Sequence, residues 1–205
     1  MLSWERLVKV SAIIPHWNRR DLLVSLLENL RLQTHPFAEI LIVDNGSTDG
    51  SVEAARNAGA RVIELSRNQG FSFAVNRGIE AALHDWVAVL NNDVILHPDW
   101  LSRLTSQIQT HWFAAGKLLR ASQPEQVDGT FDLLSRGAMA WRAGHGRQDG
   151  PHWAERRTIS FVPFTAALFR RELFERVGYL DEEFESYLED VDFGLRCALA
   201  GYEGV

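Results

Sequence analysis

The chain has 205 residues, 46% hydrophobic and 23% charged, an ordinary globular balance, long enough for one sizeable core or a large single domain. Basic residues number 21 against 27 acidic, a net charge of −6, which disfavours a nucleic-acid binder but not a local anion site. One cysteine, Cys197, excludes an internal disulfide framework and suits a reducing compartment.

The N-terminus, "MLSWERLVKV", holds no apolar stretch long enough for a signal peptide, and no later run nears the ~18 apolar residues of a spanning helix. The expectation is a cytoplasmic protein, compatible with peripheral docking at the inner face of a membrane. "VKVSAIIP" (8–15) is short, β-branched and apolar, a buried strand stopped by Pro15. In "DLLVSLLENLRLQT", Leu22, Leu23, Leu26, Leu27 and Leu30 share one face at helical spacing, so an amphipathic helix is expected to end near Thr34. "EILIVD" (39–44) predicts a second buried strand, "NGSTDG" a turn, and "SVEAARNAG" a short helix stopped by Gly59. "ARVIEL" is a third strand, "SRNQG" a loop, "FSFAVNRGIEAALHD" a third helix and "WVAVL" a fourth strand. Four rounds of strand then helix, with strands that read as continuous apolar runs, predict an α/β fold on a parallel sheet.

Beyond Asp93 the alternation breaks. "PDWLSRLTSQIQTHW" reads as a helix with Pro98 near its start. Residues 117–157 are rich in Gly, Arg and Trp and weakly patterned, a long binding loop or a small irregular sheet. "TISFVPFTAALFR" is strand material and "RELFERVG" a short helix ended by Gly178. In the last segment Leu188, Val191, Leu195 and Leu199 form a helical stripe, with Glu189, Asp190 and Asp192 crowded at its start.

Ligands of open α/β sheets bind beyond the carboxyl ends of the strands. Polar residues follow each of the four strands: His16-Trp17-Asn18, then Asp44, Asn45, Ser47 and Asp49, then Asn68 and Gly70, then Asn91-Asn92-Asp93. They would converge on one edge. There is no G-x-x-x-x-G-K-[ST] loop and no G-x-G-x-x-G after the first strand. A nucleotide there would need its phosphates neutralised another way, and a divalent cation held by a carboxylate does so. Asp93 at a strand tip is a plausible ligand. Taken singly, each group has a plainer reading. Asn91-Asn92-Asp93 is a turn, Ser47 to Ser51 cap a helix, and Glu189-Asp190 are favourable charges at a helix N-terminus. His145 and His152 match no metal-site spacing and read as a solvated loop. Trp141 and Trp153 could stack on a sugar or pack in the core.

Five stretches in order are more specific: "AIIPHWNRRDLLVSLLENLRLQTHPFAEILIVDNGSTDGS", "NQGFSFAVNRGIEAA", "VLNNDVILHPDWL", "FTAALFRRELFERVGYLDEEF" and "YLEDVDFGLRCALAGY". Together they resemble a family 2 glycosyltransferase of the GT-A fold, in its bacterial rhamnosyltransferase-like branch. The resemblance implies a Rossmann-like, mostly parallel sheet flanked by helices. It implies a single glycosyltransferase domain over 1–205, with 8–97 as the nucleotide-sugar-binding half and 98–205 as the acceptor half. By position, Pro15, His16 and Trp17 would border the base. Asp44 would hold base or ribose, and Asn68, Gly70, Asn91 and Asn92 would complete the nucleotide-sugar site. Asp93 would face a divalent cation, Mg²⁺ or Mn²⁺, and the diphosphate. Glu189 and Asp190 are the implied catalytic pair, with Asp190 the general base. The implied reaction is an inverting transfer of sugar from a nucleotide-diphosphate sugar to a hydroxyl of a glycan or lipid-linked acceptor, as in cell-surface polysaccharide biosynthesis.

Three features depart from the family pattern. Asn91 replaces the first Asp of the usual Asp-x-Asp, and Val75 stands where many relatives have Arg. The chain also ends at Val205, where relatives usually continue, so a domain truncated at its C-terminus is expected. That ending favours a second reading, a non-catalytic nucleotide-sugar-binding module or inactive fragment, which turnover of a donor separates from an enzyme. A nucleotidyltransferase is disfavoured, because "PHWNRRD" has no glycine for a phosphate loop.

Overall fold

In a computed structural model, residues 8–108 and 110–205 are described. The N-terminal stretch 1–7 and Gln109, within the expected fourth helix, lie outside them. The four apolar runs become β1 (Val10–His16), β2 (Glu39–Asp44), β3 (Arg61–Glu64) and β4 (Trp86–Leu90). They alternate with α1 (Arg20–Arg31), α2 (Ser51–Asn57) and α3 (Phe71–Ala81). Next come α4 (Trp100–Thr105) and β5 (Phe113–Ala115), and later β10 (Ala166–Arg170), α5 (Glu172–Val177) and α6 (Glu189–Leu199).

The central sheet runs β3-β2-β1-β4-β10-β5. β1 to β4 are mutually parallel, and β10 lies antiparallel to both β4 and β5. The fold is thus the mostly parallel α/β architecture expected. The order reverses between β1 and β4, so β2 and β4 leave β1 on opposite sides and open a crevice at their carboxyl ends. Alternate residues of β1 feed two core layers. Val10, Ala12 and Ile14 pack with Leu23, Leu26, Leu27 and Leu30 of α1. Ile13 packs with Val75 and Ile79 of α3 and with the α5–α6 side. Val75, in the Arg position of many relatives, is fully buried. Among the described residues no helix is long and apolar enough to cross a membrane.

Two sequence readings are corrected, and one left open is decided. Pro15 does not stop β1, which runs to His16. Pairing with β4 ends at Ile13, so the missing N–H falls where one ladder has already lapsed. Of the two readings of the weak region 117–157, a long binding loop or a small irregular sheet, the second holds. It forms two antiparallel pairs, β6 (Leu118–Arg120) with β7 (Gln123–Gly129), and β8 (Asp132–Leu134) with β9 (Ala140–Arg142). The expected stripe on α6 is not the buried one. Leu188, Leu195 and Leu199 are exposed, while Glu189, Phe193, Gly194 and Cys197 face inward. Phe193 wins because it completes an aromatic cluster. It stacks on Phe174 at 4.7 Å between centroids and meets Phe164 edge-on at 5.5 Å. That rotation turns the acidic start of α6 toward the sheet edge.

Candidate active site

The strand ends knit the predicted residues into one edge. His16 and Asp44 are register partners across β1 and β2. Asp44 is buried, and its Oδ2 accepts from the Ser47 amide at 2.8 Å, closing the turn. Its Oδ1 is buried without a partner. A turn residue needs only the first oxygen, so closing the turn leaves the second unexplained. Asp49 has the structural job expected of this loop, with Oδ2 accepting from the Arg20 amide at the start of α1 and Oδ1 from the Ser51 amide at the start of α2.

His16 is buried with both ring nitrogens engaged. Nδ1 lies 2.9 Å from Asn92 Nδ2, and Nε2 lies 2.8 Å from Ser51 Oγ. The amide donates, so Nδ1 accepts and the proton sits on Nε2, where it donates to Ser51, which in turn donates to Asp49. Burial pulls the His16 pKa below its ordinary value, against the upward pull of Asp44 and Asp49, and so favours this neutral tautomer. His16 is therefore a joint that fixes the Asn91-Asn92-Asp93 turn to the β2 side of the crevice. Pro15 is buried behind it, and Trp17 stands 52% exposed in the following loop.

Asn68 and Gly70 serve the loop. Asn68 Oδ1 accepts from the Gly70 amide, and Asn45 Nδ2 donates to Gly70 O. Gly70 has φ +89°, and a Cβ there would lie 2.7 Å from Glu185 O. Glu185 O accepts from the Phe71 amide at 2.6 Å, so the α3 N-terminus meets the segment leading to α6 rather than a phosphate. Gly70→Ala is expected to cost about 1–3 kcal/mol from φ strain plus the clash. Gly59→Ala, at φ +81° with open space around it, should cost only the backbone part. Thermal unfolding of the two variants checks this. Equal losses would mean that the Glu185 contact gives way freely.

Asn91, Glu189 and Asp190 line one cleft of about 660 Å³, together with Asp132, Arg142 and Thr165. The Asn91 amide donates to Thr165 O at 2.9 Å, so β4 and β10 hold it. Asn91 Oδ1 and Glu189 Oε2 are buried without partners. Burial raises the pKa of Glu189, and the neighbouring Asp190 adds to the shift. Asp190 is also raised, by burial first and then by Asp132, against a smaller downward pull from Arg142. Asp192 faces elsewhere, its Oδ2 bonded to Arg196 at 2.8 Å. Residues 187 and 188, immediately before α6, are Tyr and Leu at φ 74° and 69°, a strained entry for non-glycine residues. Tyr187, Leu188 and Trp141 line the same cleft and are 83%, 55% and 48% exposed.

Asp93 is exposed at the edge. Among the described residues no three His, Cys, Asp or Glu side chains converge as an ion site. One accessible carboxylate, two residues on from Asn91, fits a cation completed by a substrate's phosphates and does not fit a resident structural ion. The sequence singled out neither Asp132 nor Arg142, and His145 read as part of a solvated loop, yet all three line the cleft. Their segment has no clear periodicity, and the Asp132↔Arg142 pairing across β8 and β9 is the signal that places them. A second hollow, of about 500 Å³, lies beside Val205 and includes Trp153 but none of the predicted site residues.

The sequence pattern described as glycosyl transferase family 2 matches residues 11–178. The chain is 30% identical over 220 residues to the N-acetylglucosaminyl-diphospho-decaprenol L-rhamnosyltransferase of Mycobacterium tuberculosis (strain H37Rv), covering 93% of this chain and 69% of that protein. It is 33% identical over 205 residues to the O-antigen biosynthesis protein RfbC of Myxococcus xanthus, covering 94% of this chain and 16% of RfbC. Among solved structures it is similar to the mannosyltransferase PcManGT from Pyrobaculum calidifontis in complex with GDP-Man and Mn²⁺. There the TM-score is 0.70 at 20% identity, with 96% of this chain and 54% of that one covered. S. aureus TarS in complex with UDP matches at TM-score 0.66 and 21% identity, covering 97% and 60%. This chain thus spans less than two thirds of RfbC, PcManGT and TarS.

Proposed function

The chain belongs to glycosyltransferase family 2 and has the GT-A fold, and from that premise we propose that it transfers a sugar from a nucleotide-diphosphate sugar to an acceptor hydroxyl with inversion. The acceptor hydroxyl oxygen attacks the anomeric carbon as the bond from that carbon to the diphosphate oxygen breaks. The hydroxyl proton passes to Asp190, and the nucleoside diphosphate leaves. A hydroxyl is a poor nucleophile until a carboxylate takes its proton, and a carboxylate with a raised pKa holds that proton better near neutrality. The acceptor class is a glycan or lipid-linked sugar, in keeping with the relatives' names, and peripheral membrane association would follow from it.

One observation carries this reading. Three side-chain oxygens, Asp44 Oδ1, Asn91 Oδ1 and Glu189 Oε2, are buried and unpartnered at the carboxyl edge of one sheet. Buried polar atoms are ordinarily paired, so these three support a site that takes a polar ligand. Asp44 would receive the nucleoside from the β2 side, with Pro15 and Trp17 beside it, and Asn91 would face the sugar diphosphate. Asp93 would hold a Mg²⁺ or Mn²⁺ ion, which when bound offsets the charge gathering on the leaving diphosphate. Glu189 and Asp190 would face the acceptor.

Calorimetry with uridine, thymidine and guanosine diphosphates tests the donor side. Asp44→Ala should weaken the preferred nucleotide by roughly 10-fold or more, the range expected when a buried charged hydrogen bond is lost. If all three bind the variant as they bind the parent, Asp44 is a turn residue only.

A further inference from the structure

We propose that Arg142 is a positioning residue for the Asp190 carboxylate, seated by Asp132 on the facing strand and by the absent side chain of Gly129. The inference rests on Asp190 being the base and adds the group that orients it. Asp132 and Arg142 are direct partners across β8 and β9 and so share one face of the hairpin. Arg142 Nε donates to Asp132 Oδ1 at 3.1 Å, while Nη2 lies 3.7 Å from Asp190 Oδ2. Side-chain exposure falls from 30% at Arg142 to 14% at Asp190 and 7% at Asp132. Two nearly buried carboxylates therefore share one guanidinium.

The unequal distances suit the roles. The short bond to Asp132 fixes the guanidinium plane. The 3.7 Å separation from Asp190 is beyond hydrogen-bond reach, so Oδ2 keeps a lone pair for an incoming proton while the positive charge holds its direction. Gly129, at the end of β7, makes the room. A Cβ there would lie 2.1 Å from Arg142 Cδ and 2.5 Å from Cγ. Gly129 is not among the glycines with positive φ, so space for Arg142, rather than a left-handed backbone, is what its missing side chain supplies. The charged and titratable groups facing Asp190 are Asp132 from β8, Arg142 from β9, His145 just after it, and Tyr187 and Glu189 on its own segment.

The test follows the Asp190 carboxyl carbon by NMR through a pH titration of the full chain, with Asp190→Asn identifying the signal. Arg142→Met should raise the midpoint by on the order of one unit, a tenfold change in proton affinity. Arg142→Lys should restore most of it. Gly129→Ala removes no charge, and by displacing Arg142 it should move the midpoint the same way by less. The acid limb of nucleoside diphosphate release from the donor should follow these midpoints in kcat, with the donor KM near the parent's. An unmoved or lowered midpoint in Arg142→Met overturns the inference, and so does a parental midpoint in Gly129→Ala. Should Arg142→Met not fold, the lysine and alanine variants carry the decision. If Asp190→Asn transfers sugar normally, the proposed function and this role fall together. If Asp190→Asn is inactive but the Arg142 and Gly129 variants titrate like the parent, only this role falls.

Discussion

Asp190→Asn should cut sugar transfer by a factor on the order of 10² or more while leaving donor binding nearly intact. The substitution keeps the shape and removes the proton acceptor. It should also leave the protein at least as stable at neutral pH. Burial and the Asp132 charge raise the Asp190 pKa in the folded state, so the folded protein binds this proton more tightly than the unfolded chain does. Ionising Asp190 therefore costs stability above its folded pKa, and that cost fades as pH falls toward the ordinary carboxylate range near 3.9. The melting advantage of Asp190→Asn should shrink over the same interval. Transfer by the parent should fall on the acid side through the folded-state pKa, because protonated Asp190 accepts nothing. Glu189→Gln is the control. Glu189 is buried with one oxygen unpartnered, and its pKa is likewise raised. If Glu189→Gln loses transfer and Asp190→Asn keeps it, the base is Glu189. If both behave as the parent, the acidic pair is a helix terminus and nothing more.

The polar strand ends of the proposed donor side were legible in the sequence because their signals are local. Each of β1 to β4 is an apolar run ended by polar residues, and topology alone brings those ends together. What local pattern could not show is which oxygen is left over. Asp44 both closes a turn and presents an unused atom, and only the folded chain separates the two functions. His16 was expected to border the base, and the fold adds a structural job that the sequence did not show, both its nitrogens being committed to Asn92 and Ser51. The cleft at the start of α6 was less legible because pairing there is non-local. Asp132 and Arg142 are ten residues apart in a stretch without periodicity, and they reach Asp190 only through a hairpin folded against α6. The α6 stripe misled for a related reason. Leucines set the helical period, but the phenylalanine cluster set which face went inward.

Nucleoside diphosphate should bind more tightly in Mn²⁺ or Mg²⁺ than in chelator, by a factor in the range of roughly 5–150 typical of coupled sites. The argument starts from how little the protein offers an ion by itself. Asp93 is one exposed carboxylate, Asn91 supplies at most a neutral oxygen, and no third ligand converges among the described residues. A cation should therefore bind weakly alone and strongly with a diphosphate that fills its remaining positions. Linkage makes the effect reciprocal, so the nucleotide should tighten the ion as much as the ion tightens the nucleotide. Asp93→Asn should erase the difference between the two conditions while leaving the affinity measured in chelator unchanged, since Asp44 and the base side are untouched. Asn91→Asp adds a second carboxylate to the same turn and should enlarge the difference. Calorimetry across the parent and both variants decides the matter. Equal parental affinity with and without the ion would reduce Asn91-Asn92-Asp93 to a turn held by His16, and the diphosphate would then have to be neutralised by side chains alone.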